Sequence, residues 1–291
     1  MLRGSMVALV TPMAEDESVD WKALDALVEW HIAQGTHAIV AMGTTGESAT
    51  FDMSEHIEVI RKVVEKVDGR LPVIAGTGAN STSEALELTS KSKDVGADAC
   101  LLVTPYYNKP TQEGLFLHYK YIAERVDIPQ LLYNVPGRTA VDLLPETIGR
   151  LAKFENIIGI KEATGDIDRV AKIRQCTSES FLLISGDDET AVDFMAAGGC
   201  GEISVTANVA PAKVAKMCEL VLEGDVEGAR DIDKELLPLH QAMFLESNPI
   251  PVKYAVAYLG FMQNILRLPL TPLSPEYHDQ VHRAMAHNQL L

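Results

Sequence analysis

The sequence predicts an α/β fold: a (β/α)8 TIM barrel over residues 1–225, with a small C-terminal helical domain over 226–291. Three observations carry that expectation. Eight short apolar runs recur with starts roughly 20–35 residues apart, the length of a strand–helix unit. The runs are near-continuous rather than alternating, as suits parallel strands covered on both faces. Helix-period patterns separate them, and no strand signal follows Gly224-Asp225.

Taken in order, the runs are 7–10, 38–41, 72–75, 99–103, 130–133, 157–160, 181–185 and 202–205. Between the first two, Trp21, Leu24, Leu27, Val28 and Ile32 recur at helical spacing behind Asp20, an N-cap residue type. Ile57, Ile60, Val63, Val64 and Val67 do the same behind Ser54, and Ser81-Thr82-Ser83-Glu84 reads as a capping box. Gly96 is placed as a helix stop before the fourth run. Beyond Asp225, Ala229, Ile232, Leu236, Leu237, Leu239 and Met243 mark one helix, residues 251–259 another, and Ser274-Pro275 opens a last one with proline at its favoured first position. Eight such units close most simply as a barrel. The competing doubly wound sheet calls for a Gly-rich phosphate loop after its first strand, where this chain has Thr11-Pro12-Met13.

Composition narrows the function. A 291-residue chain with 47% apolar and 23% charged residues is globular and large enough for one barrel. Its formal charge of −16 opposes binding to nucleic acid or to an anionic membrane. No apolar stretch reaches spanning length, and Met1-Leu2-Arg3-Gly4-Ser5-Met6 has no signal-peptide core. Cys100, Cys176, Cys200 and Cys218 show neither CxxC nor framework spacing, so reduced, mostly buried thiols in a cytoplasmic protein are expected. The eight histidines make no metal-ligand motif, and Asp187-Asp188 lacks a third ligand at suitable spacing, so no metal and no cofactor are expected.

In a barrel of this kind the working residues collect where strands end. The second run is followed by Gly43-Thr44-Thr45-Gly46-Glu47-Ser48 and the fourth by Thr104-Pro105-Tyr106-Tyr107-Asn108. The fifth ends in Tyr133-Asn134-Val135-Pro136-Gly137-Arg138-Thr139, and the seventh is followed by Gly186. The sixth stops abruptly at Lys161, inside Ile158-Gly159-Ile160-Lys161-Glu162. A lysine there is either a solvated tip or ion-pair partner, or a sheltered amine able to form a Schiff base with a carbonyl. Gly43 to Gly46 is either a plain turn or a carboxylate cradle of N–H groups and hydroxyls near a helix start. Arg138 is either a surface charge or a fork for a carboxylate. Hydroxyls, an arginine and a lysine on one mouth suit a small-molecule site.

Three of these segments together, Gly43 to Glu47, Tyr133 to Thr139 and Ile158 to Glu162, resemble the dihydrodipicolinate synthase / N-acetylneuraminate lyase family of class I aldolases. The likeness runs over essentially the whole chain, through Asn248-Pro249-Ile250-Pro251-Val252-Lys253. It implies a Schiff base between Lys161 and pyruvate, whose enamine attacks aspartate semialdehyde on the way to diaminopimelate and lysine. By the same resemblance Tyr133, Thr44 and Tyr107 form a proton relay, with Tyr107 reaching into a neighbouring subunit's site, so that a homo-oligomer, a dimer of dimers, is implied. Thr45 holds the pyruvate carboxylate, Ile203 and Gly186 line the substrate site, and Arg138 receives the semialdehyde carboxylate. Ser48, Ala49, His56, Asn80, Glu84 and Tyr106 match an interface pocket for lysine as effector, but Met53 stands where lysine-inhibited members carry histidine. The Thr44-Thr45 pair and Arg138 favour the synthase branch over N-acetylneuraminate and 2-keto-3-deoxy sugar acid lyases. A barrel that binds a keto acid without turnover would not need Lys161, Tyr133, Thr44 and Tyr107 together, and a metal-dependent class II aldolase would not act without its metal.

Overall fold

The computed structural model describes residues 2–291. Eight parallel strands close in sequence order: β1 (Gly4–Ala8), β2 (Ala38–Ala41), β3 (Val73–Gly76), β4 (Ala99–Val103), β5 (Gln130–Asn134), β6 (Ile157–Glu162), β7 (Leu182–Ser185) and β8 (Gly201–Ser204). The closing pair sets Met6 beside Ile203. The expected (β/α)8 barrel is the observed one.

Strand alternation sorts each run into two layers. Met6, Ala8, Val40, Leu101, Tyr133 and Ile203 point into the barrel, where they form one apolar cluster. Their neighbours Val7, Ile39, Cys100, Leu132, Ile160 and Leu183 point outward under the helices, in a second and larger cluster. Because both faces are buried, the runs read as continuously apolar.

The helical layer consists of α1 (Trp21–Ala33), α2 (Met53–Val67), α3 (Thr82–Asp94), α4 (Gln112–Ala123), α5 (Pro136–Thr139), α6 (Pro145–Leu151), α7 (Asp168–Cys176), α8 (Ala191–Ala196) and α9 (Pro211–Glu223). Asp20 caps α1 as expected, accepting from the Ala23 N–H at 3.0 Å. Two other caps differ from the sequence reading. α2 starts before Ser54, because the Asp52 carboxylate accepts from the Glu55 N–H at 2.9 Å. The Ser81 box does not form: Ser81 Oγ lies 2.9 Å from Ser83 Oγ and caps no N–H. β1 also begins three residues earlier than the apolar run, because Gly4 already pairs with Gly201.

α9 ends at Gly224, whose φ of 91° is the left-handed conformation that glycine adopts without strain, and Asp225 caps α10 (Val226–Ala242). α11 (Ile250–Tyr258) and α12 (Pro275–His287) follow. α10 packs on α8 and α9, and α12 on α10. Leu236, Leu239, Val256 and Val281 from this part join the outer apolar cluster of the barrel. The segment between α10 and α11 lies over the carboxyl ends of the strands, bringing Phe244 and Asn248 to the mouth.

Candidate active site

A cavity of about 110 Å³ sits at the carboxyl ends of the strands, with Lys161, Tyr133, Thr44, Thr45, Arg138, Gly186 and Ile203 in its wall. Seven of the eight residues expected in the catalytic and substrate set therefore meet at one place.

Lys161 and Tyr133 are direct neighbours in the β5–β6 register. The lysine is 6% exposed, and its Nζ lies 4.4 Å from the centroid of the Tyr133 ring. Alternation separates it from the adjacent acid: Glu162 points outward, where its carboxylate meets Arg169 at 2.9 Å and Asn134 at 3.2 Å. Among the described residues no carboxylate comes within ion-pair distance of the Lys161 amine. The amine therefore faces a phenol and open space rather than a counter-ion. Room for its stem depends on Gly186, where a Cβ would fall 2.6 Å from Lys161 Cε.

The Thr44-Thr45 loop is a turn and not a helix start. Gly46 and Glu47 N–H donate to the Gly43 and Thr44 carbonyls at 3.1 Å, and a single helical turn follows at Ser48–Thr50. Those N–H groups are consumed within the turn, and what the loop still offers the cavity is Thr44, Thr45 and their hydroxyls. Thr45 Oγ1 accepts from Asn248 Nδ2 at 3.0 Å. Glu47, buried and left-handed at φ 60°, pairs with Lys253 of α11, and its second oxygen accepts the Arg267 N–H at 3.1 Å. Burial holds the Lys253 amine below its usual range, partly opposed by Glu47.

Arg138 rides on α5, and its Nη2 donates to the Asn248 carbonyl at 3.2 Å. Tyr107 is the exception. It is 90% exposed with φ 73°, and lines none of this cavity. Asp188 spends both oxygens on the protein, accepting from Ser204 Oγ and from the Val205 and Thr206 N–H groups at 3.0 and 3.2 Å, whereas Asp187, in the cavity wall, accepts through Oδ2 from Thr190 Oγ1 at 2.6 Å. Cys100 and Cys218 are buried, Cys200 is half-buried and Cys176 is exposed.

A second, larger cavity of about 420 Å³ adjoins the first, sharing Thr44, Val135 and Arg138 with it. Ser48, Ala49, Met53, His56, Glu84 and Tyr106 line it, whereas Asn80 stands outside the lining. His56 donates from Nε2 to the Gly76 carbonyl at 2.7 Å, and burial pushes its imidazole below the usual range. Burial likewise raises the Tyr106 phenol, helped by Glu84.

Sequence reasoning did not place Phe244 and Asn248 in the active site. Both lie far along the chain from any strand end, and the only sign of either was the Asn248-Pro249 motif in the family likeness.

This geometry, a sheltered amine beside a phenol at the mouth of an eight-stranded barrel, agrees with the likeness to known proteins. The sequence model of the dihydrodipicolinate synthetase family matches residues 1–288. A relative from Saccharophagus degradans named 4-hydroxy-tetrahydrodipicolinate synthase is 69% identical over the full length of both chains. The crystal structure of a chloride-inhibited dihydrodipicolinate synthase from Acinetobacter baumannii, complexed with pyruvate, is 52% identical and superposes over all of both chains with a TM-score of 0.98. The enzyme from Cyanidioschyzon merolae with lysine bound is 40% identical, with a TM-score of 0.96 over 99% of each chain. Fold, site and relatives agree over the whole length: the chain belongs to the dihydrodipicolinate synthetase family.

Proposed function

We propose that this chain is a Schiff-base aldolase that condenses pyruvate with L-aspartate-4-semialdehyde to give 4-hydroxy-tetrahydrodipicolinate, the first committed step toward diaminopimelate and lysine. The observation that carries this reading is the Lys161 amine, buried beside Tyr133 with no carboxylate partner. In outline, Nζ attacks the keto carbon of pyruvate and the carbinolamine loses water. A proton must reach the leaving hydroxyl and another must leave the nitrogen, and the Tyr133 phenol and Thr44 hydroxyl are the groups at hand to carry them. The iminium acts as the electron sink when a methyl proton is withdrawn. The resulting enamine forms the new C–C bond to the aldehyde carbon, whose C=O π bond opens and whose oxygen takes up a proton, balancing the one withdrawn from the methyl group, to become the product's hydroxyl. Attack of the product's own amino group on the iminium carbon then closes the ring and frees the lysine.

Thr45 suits the pyruvate carboxylate, Ile203 and Gly186 form the wall against it, and Arg138 at the rim suits the carboxylate of the semialdehyde. The Thr44-Thr45 pair and Arg138, all in the wall of this cavity, favour the synthase reading over an N-acetylneuraminate or other sugar acid lyase. We take 1–225 as the catalytic unit and 226–291 as an appendage that completes its mouth. We also take the active assembly to be a dimer of dimers in the cytoplasm. In support, Tyr107 stands exposed, away from its own chain's cavity, and no described helix is long and apolar enough to cross a membrane. The larger cavity is read as a lysine effector site, by analogy with the lysine-bound relative.

Three measurements test these readings. Protein incubated with pyruvate and reduced with borohydride should carry the keto-acid adduct on Lys161, and Lys161→Ala should carry none. Turnover should occur with pyruvate plus the semialdehyde and not with N-acetylneuraminate. An adduct elsewhere, or sialic acid cleavage at comparable rate, would remove the proposal. For the effector site, a lysine titration should show weak inhibition, because Met53 offers a thioether where an imidazole would donate or accept. Half-inhibition at low micromolar lysine would contradict that.

A further inference from the structure

We propose that Asn248, contributed by the segment after α10, is a positioning residue that fixes the direction of the Thr45 hydroxyl so that it donates to the keto-acid carboxylate. The inference rests on the reading of Thr45 as the carboxylate holder. Asn248 is buried, lines the same cavity as Lys161, and donates from Nδ2 to Thr45 Oγ1 at 3.0 Å. A hydroxyl has one proton to give. Once Oγ1 accepts from the amide, that proton must point elsewhere, and among the described residues it meets no acceptor. The side of Thr45 that faces the cavity is therefore a donor, the polarity an incoming carboxylate needs.

Two further features separate this role from simple packing. Among the described residues, Asn248 Oδ1 is buried without a hydrogen-bond partner. Leaving an acceptor orphaned is unfavourable, and an apolar side chain of similar size would fill the space without it. The bond to Thr45 is the contact that accounts for the amide. Asn248 also meets Arg138, but through its backbone carbonyl, at 3.2 Å. Side-chain substitution thus alters the Thr45 contact and leaves the Arg138 contact in place, so the two substrates respond differently.

Asn248→Asp keeps the shape of the side chain and reverses the bond. A carboxylate only accepts, so the Thr45 proton turns toward it and a lone pair turns toward the substrate. Asn248→Ala leaves the hydroxyl free to rotate. The experiment measures borohydride trapping of Lys161 against pyruvate concentration, steady-state KM for each substrate and Tm, on full-length wild type, N248A and N248D. The expected half-saturation for pyruvate rises about tenfold in N248A and about a hundredfold in N248D, in line with the loss of a charge-assisted hydrogen bond. The KM for the semialdehyde should change less than threefold, roughly the scatter of an indirect effect. Wild-type pyruvate affinity in N248D, or equal loss for both substrates with a fallen Tm, overturns the assignment. A wild-type chain that traps no pyruvate overturns the reading of the site and this inference with it.

Discussion

Lys161 keeps its place through a missing atom. A methyl group at position 186 would stand 2.6 Å from Lys161 Cε and 2.8 Å from Ala163 Cβ, so the lysine stem would have to move off the wall. Gly186→Ala is therefore expected to lower kcat about a hundredfold, the scale of an ångström misplacement of a reacting group, while the buried outer cluster and the Tm stay near wild type. Stopped-flow trapping with pyruvate measures it, and an unchanged rate of imine formation would show that the glycine does not set the position of the amine. The lysine stood out in the sequence because an apolar run stops abruptly at it, but a solvated tip or an ion-pair partner gives the same pattern, and only the family likeness chose between them. The glycine was legible as a residue at a strand end, and as part of the substrate site only through likeness to a family. Asn248 was not legible at all as a partner of Thr45: the two are 203 positions apart, and no local pattern records a hydrogen bond of that span.

Between elements, the active-site loop is also constrained from outside the barrel. Glu47 follows Thr45 by two residues and is fully shielded from solvent, as is Lys253 of α11, with which it pairs. Arg267 adds its backbone N–H to Glu47, and its guanidinium forks onto Glu55 of α2 with both contacts at 2.8 Å. The loop is thus held against the C-terminal helices by charge. Removing one partner would strand the other: Lys253→Met should destabilise the fold by about 3–5 kcal/mol, whereas the double replacement Glu47→Leu with Lys253→Met should recover much of that loss. Urea unfolding of the three variants gives the comparison. A loss below about 1 kcal/mol in the single variant, the value of an exposed pair, would show that the pair carries little weight. Helix positions were readable from apolar spacing, but helix starts were less so. Asp52 and Ser54 are both capping types two residues apart, and only the hydrogen bond to Glu55 decides between them.

At the scale of the whole molecule the barrel was legible because each strand–helix unit repeats one short pattern, and eight of them leave little freedom of connection. For the proposed assembly the trace is weaker. Tyr107 is the one member of the expected relay that its own chain leaves in solvent, 90% exposed on left-handed backbone, while Tyr133 and Thr44 are in the cavity wall. A bulky side chain held in that conformation is strained, and such strain collects at functional positions. If a partner chain receives this phenol, the two halves of a site reside on different subunits, and two inactive variants can repair each other. Lys161→Ala lacks the amine and Tyr107→Phe lacks the hydroxyl. In a two-fold pair built from one of each, one site carries both defects and the other carries neither. Random pairing makes half of the pairs mixed, so about a quarter of all sites should regain full function. Unfolding and refolding the two variants together, then assaying turnover against each variant refolded alone, reads this directly. Recovery near that fraction supports a phenol delivered across an interface. A mixture no more active than its components places Tyr107 outside the chemistry and leaves Tyr133 and Thr44 to move the protons within one chain.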